Sequence, residues 1–196
     1  DFTVLDPACG SGNFLYIAYR ELKRLEARII ERLDEMVTNG NGGQQHFGFL
    51  TARNFHGMDI SPFAIELAKV TMMIARKLAI DELQITEDAL PLDNLDANFV
   101  ARDALIDERG KPSEWPRVDV IIGNPPFLGA KRLKPERGPD YVNAVRDAYP
   151  EVPGMADYCV YWFRKTHDRL TACTEQDPFT GRAGLVGTQN IRNNQS

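Results

Sequence analysis

Between Val118 and Phe127 the chain reads Val-Asp-Val-Ile-Ile-Gly-Asn-Pro-Pro-Phe, and few folds can accommodate that run. Its first half is short and rich in β-branched residues, the pattern of a strand covered on both faces. Its second half cannot extend the strand. Pro125 and Pro126 each lack a backbone donor, and each disfavours helical geometry at the residue before it. A covered strand therefore delivers an amide at Asn124, a rigid turn and the ring of Phe127 to one point at its carboxyl end. In open α/β sheets ligands sit at that end. This point is expected to hold the reacting group of a substrate.

The remainder of the chain alternates between strand and helix signals. Thr3 to Leu5 reads as a strand, followed by the turn Asp6-Pro7-Ala8-Cys9-Gly10-Ser11-Gly12-Asn13. Behind it Leu15, Ala18, Leu22, Leu25, Ile29, Leu33 and Met36 recur at spacings of three and four, predicting one long amphipathic helix that stops at a loop over 38–43. A second strand is expected at about Asn54 to Met58, ending on Asp59. Ser61 and Pro62 then open a helix carrying Phe63, Leu67, Val70, Ile74 and Leu78. Phe99 to Ala101 reads as a third strand ending near Asp103, and 183–187 as a fifth. The polar, proline-rich stretch from Leu128 to Gly154 reads as a surface loop or lid, and Ala156 to Leu170 as a helix. This pattern predicts an α/β fold: a mostly parallel sheet with helices on both faces.

Composition narrows the function classes. The chain has 196 residues, 43% hydrophobic and 26% charged, enough for one domain with a core. No apolar run approaches membrane-spanning length, and no signal peptide opens the sequence. The first residues already read as strand, so an incomplete fragment is expected. Cys9, Cys159 and Cys173 are scattered and His46, His56 and His167 show no ligand spacing, so no metal site is predicted and a reducing, cytoplasmic setting fits. A net charge of −5 argues against the whole surface binding nucleic acid by itself.

The glycine turn by itself fits several ligands. It lacks the third glycine of the dinucleotide fingerprint, since Leu15 stands there, and no Gly-Lys-Ser/Thr follows as in a phosphate loop. It carries a carboxylate, Asp6, which suits a ligand bearing an ammonium group. Asp59 at a strand end can accept bonds from two ribose hydroxyls or cap the helix after it, and Asp103 can accept from an adenine amino group or close a turn. Together they describe a pocket for a nucleoside with a zwitterionic tail.

With Asn124-Pro125-Pro126-Phe127, these motifs resemble the S-adenosylmethionine-dependent DNA adenine-N6 methyltransferases, in the gamma-type order, and most closely the methyltransferase part of MmeI-like fused restriction–modification enzymes. The resemblance implies a Rossmann-like class I methyltransferase fold. It makes residues 1–196 a catalytic domain whose target-recognition and any nuclease domains lie elsewhere, with duplex DNA met through those domains. Asp6, Ala8, Gly10 and Gly12 would hold the methionine end of S-adenosyl-L-methionine. Asp59 and Ile60 would hold the ribose and the ring face, and Asp103 and Ala104 the adenine edge. Asn124, Pro125, Pro126 and Phe127 would be the catalytic motif. Lys131 and Arg132 are candidates for phosphate contact, and Asp157 and Tyr158 for the border of the target pocket. Asp59 lies much farther from the turn than the roughly 20 residues usual in dinucleotide sites, the long helix taking up the difference.

The chemistry agrees with such a site. An adenine amino group is a poor nucleophile, and acceptors at the Asn124 oxygen and the Pro125 carbonyl would draw it toward tetrahedral geometry. Phe127 offers a stacking face to an extruded base. Tyr158, Tyr161, Trp162 and Phe163 read as core more readily than as base-binding. Other readings are a methyltransferase acting on protein glutamine or an RNA base, a truncated cofactor-binding module without activity and, more remotely, a nicotinamide-dependent dehydrogenase.

Overall fold

The structure, a computed structural model, describes residues 2–37, 49–84 and 95–189. The elements follow in the order β1 (Val4–Asp6), α1 (Asn13–Val37), β2 (Phe55–Asp59), α2 (Pro62–Leu83), β3 (Phe99–Ala101), β4 (Val120–Gly123), α3 (Ala130–Arg137), α4 (Pro139–Ala148), α5 (Val160–Arg169) and β5 (Arg182–Leu185). The five strands form one parallel sheet in the order β3-β2-β1-β4-β5. The order reverses at β1 and β4, which pair with each other, so the glycine turn and the Asn-Pro-Pro turn leave adjacent strands at the same sheet end. That is a topological switch point, where ligands gather in open α/β sheets.

Strand alternation builds two cores. Val4 packs with Leu15, Tyr19, Ala68 and Met72 under α1 and α2, while Leu5 and Ile121 point the other way into Leu105, Val142, Tyr161 and Trp162 under α4 and α5. Helices thus cover both faces, as the alternating pattern requires.

Three expectations are corrected. Leu128 to Gly154 is not a lid: it folds as α3 and α4, anchored by buried Leu133, Val142 and Val145. Prolines 135 and 139 suggest a loop, but Pro139 sits in the first turn of α4, where no donor is needed. The second correction concerns α2. Its larger apolar residues Phe63, Leu67, Val70, Ile74 and Leu78 are exposed, and the face it buries is Ile65, Ala68, Met72, Ala75 and Ala79. Small residues let the helix lie close to the sheet and to α1, which a stripe of Leu and Val would hold off. The far half of α1 likewise keeps Leu25, Ile29, Leu33 and Met36 exposed. Third, α5 begins at Val160, the preceding residues forming turns. The predicted glycine-rich loop at 38–43 and His46 lie outside the described residues.

Ser61 accepts from the Ala64 N–H and Pro62 occupies the first turn, so α2 starts as its sequence predicts. Among the described residues no helix is long and apolar enough to cross a membrane.

Candidate active site

Beyond the carboxyl ends of β1, β2, β3 and β4 lies a cavity of about 280 Å³. The glycine turn contributes Pro7 and Ala8, the end of β2 contributes Asp59 and Ile60, and the end of β3 contributes Arg102, Asp103 and Ala104. Asn124 and Pro126 come from the turn after β4, and Arg137, Tyr158 and Trp162 from the α3–α5 layer. The structure therefore gathers half of the candidates read from sequence, some more than 100 positions apart, around one space.

The turn after β1 is fixed by backbone bonds. The Cys9 N–H donates to the Met58 carbonyl at 2.9 Å, and the Gly12 N–H to the Cys9 carbonyl at 2.8 Å. Gly12 has φ +82, and a Cβ there would come within 3.1 Å of the Ala68 Cα, so both its conformation and the approach of α2 exclude a side chain. The Trp162 Nε1–H donates to the Pro7 carbonyl at 3.1 Å and ties the turn to α5.

The carboxylates differ in environment. Asp59 accepts from the Gly10 N–H at 3.0 Å and the Ser61 N–H at 2.9 Å while still facing the cavity. It thus caps the start of α2 and remains available to a ligand, so the two sequence readings coexist. Asp103 accepts from the Leu105 N–H at 2.7 Å, the Ile106 N–H at 3.2 Å and the Tyr141 hydroxyl at 2.7 Å. Asp6 does not line the cavity; it is 1% exposed and accepts from the Ala8 N–H at 3.0 Å. Burial, with the nearby Asp59 charge, pushes its pKa up to about 7, against the pull of the Ala8 bond.

Burial and the same two carboxylates raise the Cys9 thiol pKa, so it stays protonated and is no nucleophile at neutral pH. His56 is held neutral by burial, and His167 is exposed. Among the described residues no cluster of His, Cys, Asp and Glu could hold a metal ion.

In the Asn-Pro-Pro-Phe motif Asn124 faces the cavity, Pro125 is buried and Phe127 projects outward, 49% exposed. Gly123 abuts Asp6: a Cβ there would stand 2.6 Å from the Asp6 Oδ1. Lys131 and Arg132 lie exposed on α3, away from the cavity, Arg132 paired with Glu136. Asp157 is buried and accepts from the Thr188 hydroxyl at 2.7 Å, whereas Tyr158 lines the cavity. Tyr158 and Trp162 pack edge to face at 4.9 Å and serve core and cavity together.

Two contributors, Tyr141 and Lys165, escape sequence reasoning, while Arg137 belongs to the basic stretch read as a candidate for phosphate contact. Tyr141 reaches Asp103 from α4, a segment with the composition of a loop. Arg137 stands over the Tyr158 ring at 5.5 Å. Lys165 on α5 is 4% exposed and donates to the carbonyls of Ala104 at 2.6 Å, Leu105 at 3.3 Å and Ser113 at 2.5 Å, clamping the loop that carries Asp103. Burial pushes its pKa down to about 7, helped by Arg169 and opposed by Asp103. A lysine at a helix end normally reads as solvated, so no local signal marks it.

The set fits S-adenosyl-L-methionine. Ile60 is 59% exposed at the cavity wall, an apolar face free for a flat ring. Asp59 and Asp103 offer acceptors to a nucleoside, and the enclosed Asp6 lies beneath the turn where an ammonium group would arrive.

The family described as MmeI, DNA-methyltransferase domain, matches residues 1–195. DNA methyltransferase A of Bacillus subtilis is 33% identical over 167 residues, covering 81% of this chain and 18% of that protein. The adenine-specific methyltransferase PglX of Streptomyces coelicolor is 26% identical over 185 residues, covering 79% of the chain and 14% of that protein. The chain thus spans less than a fifth of the length of these relatives. Among solved structures, the Type IIL restriction–modification enzyme MmeI in complex with DNA superposes with a TM-score of 0.60 at 24% identity, over 86% of this chain and 22% of that one. That likeness carries the fold.

Proposed function

The chain belongs to the MmeI DNA-methyltransferase domain family, and from that premise we propose that it transfers a methyl group from S-adenosyl-L-methionine to the N6 amino group of adenine in duplex DNA, as the catalytic part of a restriction–modification protein. The observation that carries this reading is the single cavity shared by Asn124 and Pro126 on one side and by Asp59, Ile60 and Asp103 on the other. The residues read as cofactor-binding and those read as amine-accepting line the same space.

Bound S-adenosyl-L-methionine supplies an electrophilic methyl group on a sulfonium centre. The chain's own work is to seat it and to present the acceptor. Asp59 would take the ribose hydroxyls, Ile60 would face the adenine ring, and Asp103 with Ala104 would meet the adenine edge. Asp6, Ala8, Gly10 and Gly12 shape the methionine end, Asp6 by charge from beneath the turn. Asn124 and the Pro125 carbonyl accept the two N–H bonds of the target amine, and the double proline fixes both acceptors before the base arrives. Phe127, outside the cavity lining and half exposed, would stack on the extruded base.

Adenine as the acceptor draws support from the Asn-Pro-Pro-Phe motif and from the relative named adenine-specific. Lys131 and Arg132 would meet phosphates beside the extruded base, while recognition of the DNA sequence belongs to regions outside this chain. A cytoplasmic location follows from the same reading.

The test is Asn124→Ala in the full-length protein, with methylation of adenine-containing duplex DNA and binding of S-adenosyl-L-methionine measured side by side. Loss of one preorganised acceptor should cut turnover by about 10²–10³-fold while leaving cofactor affinity within about twofold. Full activity in that variant sinks the proposal. Wild-type transfer to cytosine, RNA or protein instead of adenine would move the acceptor.

A further inference from the structure

The Tyr141 hydroxyl donates to the Asp103 Oδ2 at 2.7 Å and stands 2.5 Å from the Tyr158 hydroxyl. Each phenol carries one proton. Burial raises the pKa of both, that of Tyr158 to about 12, so both stay protonated at neutral pH. Asp103 accepts from two backbone N–H groups through its Oδ1 and from the Tyr141 hydroxyl through its Oδ2. The Tyr141 proton is therefore committed to Asp103, and the short contact to Tyr158 can be a hydrogen bond only if Tyr158 donates. Tyr158 has then spent its single proton, and toward the cavity it lines it can only accept.

The two rings are held in place. Tyr158 packs against Trp162, with the Arg137 guanidinium over its face, and Tyr141 meets it edge-on at 6.4 Å. Tyr141 lines a second cleft, which shares Arg102 and Asp103 with the cavity. Through their shared partner, the Asp103 and Tyr158 oxygens lie within two hydrogen-bond lengths of each other. The N–H bonds of a planar amino group diverge by about 120°, so two acceptors bonding to it stand about 5 Å apart.

We infer that Tyr158 is a second acceptor for the adenine amino group of the cofactor, beside Asp103, and that Tyr141 is the positioning residue that holds Tyr158 in its accepting polarity. This rests on the S-adenosyl-L-methionine reading above and deepens it. The pocket becomes a reader of amine against carbonyl: a nucleoside with oxygen in place of the amino group would meet two acceptors and no donor.

Calorimetric titration of the full-length protein and its Tyr141→Phe and Tyr158→Phe variants with S-adenosylhomocysteine and with S-inosylhomocysteine tests it. The wild type should prefer the adenosyl ligand by at least about a hundredfold. Tyr158→Phe should lower that preference about tenfold, by weakening the adenosyl ligand. Tyr141→Phe should lower it as much by strengthening the inosyl ligand, because the freed Tyr158 proton can then turn toward the carbonyl oxygen. The double variant should match Tyr158→Phe alone. A structural role would weaken both ligands by one factor and leave the preference intact, and that result overturns the assignment. If the wild type binds neither ligand, the cofactor reading itself falls and the assignment with it.

Discussion

Replacing Asp6 by asparagine keeps the side chain's shape and removes a carboxyl group that the fold encloses at 1% exposure. Its pKa rises from an ordinary 3.8 to about 7, chiefly through burial. Below pH 3.8 the group is neutral folded and unfolded, and burial costs nothing extra. Between 3.8 and 7 the unfolded chain releases the proton and the folded chain keeps it, so stability falls as pH rises. Above 7 the penalty is complete. About three pH units at 1.36 kcal/mol each amount to roughly 4 kcal/mol. The asparagine variant lacks this dependence. Its stability relative to wild type should climb by about 4 kcal/mol from pH 4 to pH 8, or about 10 °C in Tm for a domain of this size. Any fixed cost of the new amide shifts both ends alike and leaves the climb unchanged. Urea denaturation of the ligand-free chain at intervals across that range measures it. A cation settling near Asp6 favours the ionised form, so S-adenosyl-L-methionine should release a proton from the wild type near pH 6, read in buffers of different ionisation enthalpy, and none from the variant. A stability difference flat with pH would refute the reasoning, since it would mean that Asp6 ionises in the folded state as it does in water.

Lys165→Met keeps the packing volume and removes the clamp on the Asp103 loop. The Ala104 carbonyl keeps the Trp115 indole N–H as a donor, and the Leu105 carbonyl keeps the Tyr149 hydroxyl and the Ser113 N–H. The Ser113 carbonyl loses its bond to Lys165, so a cost of about 1–3 kcal/mol is expected in chemical denaturation. Phe127→Ala in the full-length protein should weaken use of DNA by about 1–3 kcal/mol in kcat/KM with cofactor affinity unchanged, and Phe127→Tyr should restore most of it.

The two motifs that define the site were legible because each is dictated by local chemistry. Pro125 and Pro126 end a strand wherever they occur, and Gly12 meets a conformation and a close approach that side chains cannot. The parallel sheet with helices on both faces followed from the alternation of elements, whereas the order of its strands came from the structure. What escaped reading was mostly tertiary. Periodicity shows that α2 has an apolar stripe but not which face packs, and here alanines give the closer fit, leaving Phe63 and Ile74 outside. Helices α3 and α4 were hidden by prolines and charges, because their helical state depends on three buried anchors more than on pattern. Tyr141 reaches Asp103 from 38 positions away in sequence and Lys165 reaches Ala104 from 61, distances over which no motif extends.

The contact between Gly123 and Asp6 has a bearing on how kinetic data from this domain are interpreted. Gly123, the last residue before Asn124, rests directly on the Asp6 carboxyl under the glycine turn, with no room for one more carbon. A displacement on either side of that seam is transmitted to the other as a movement of backbone. Variants near it will shift KM and kcat together, and a scan of single substitutions there will blur seating and turnover that Asn124 or Tyr158, each on one side of the cavity, can still separate.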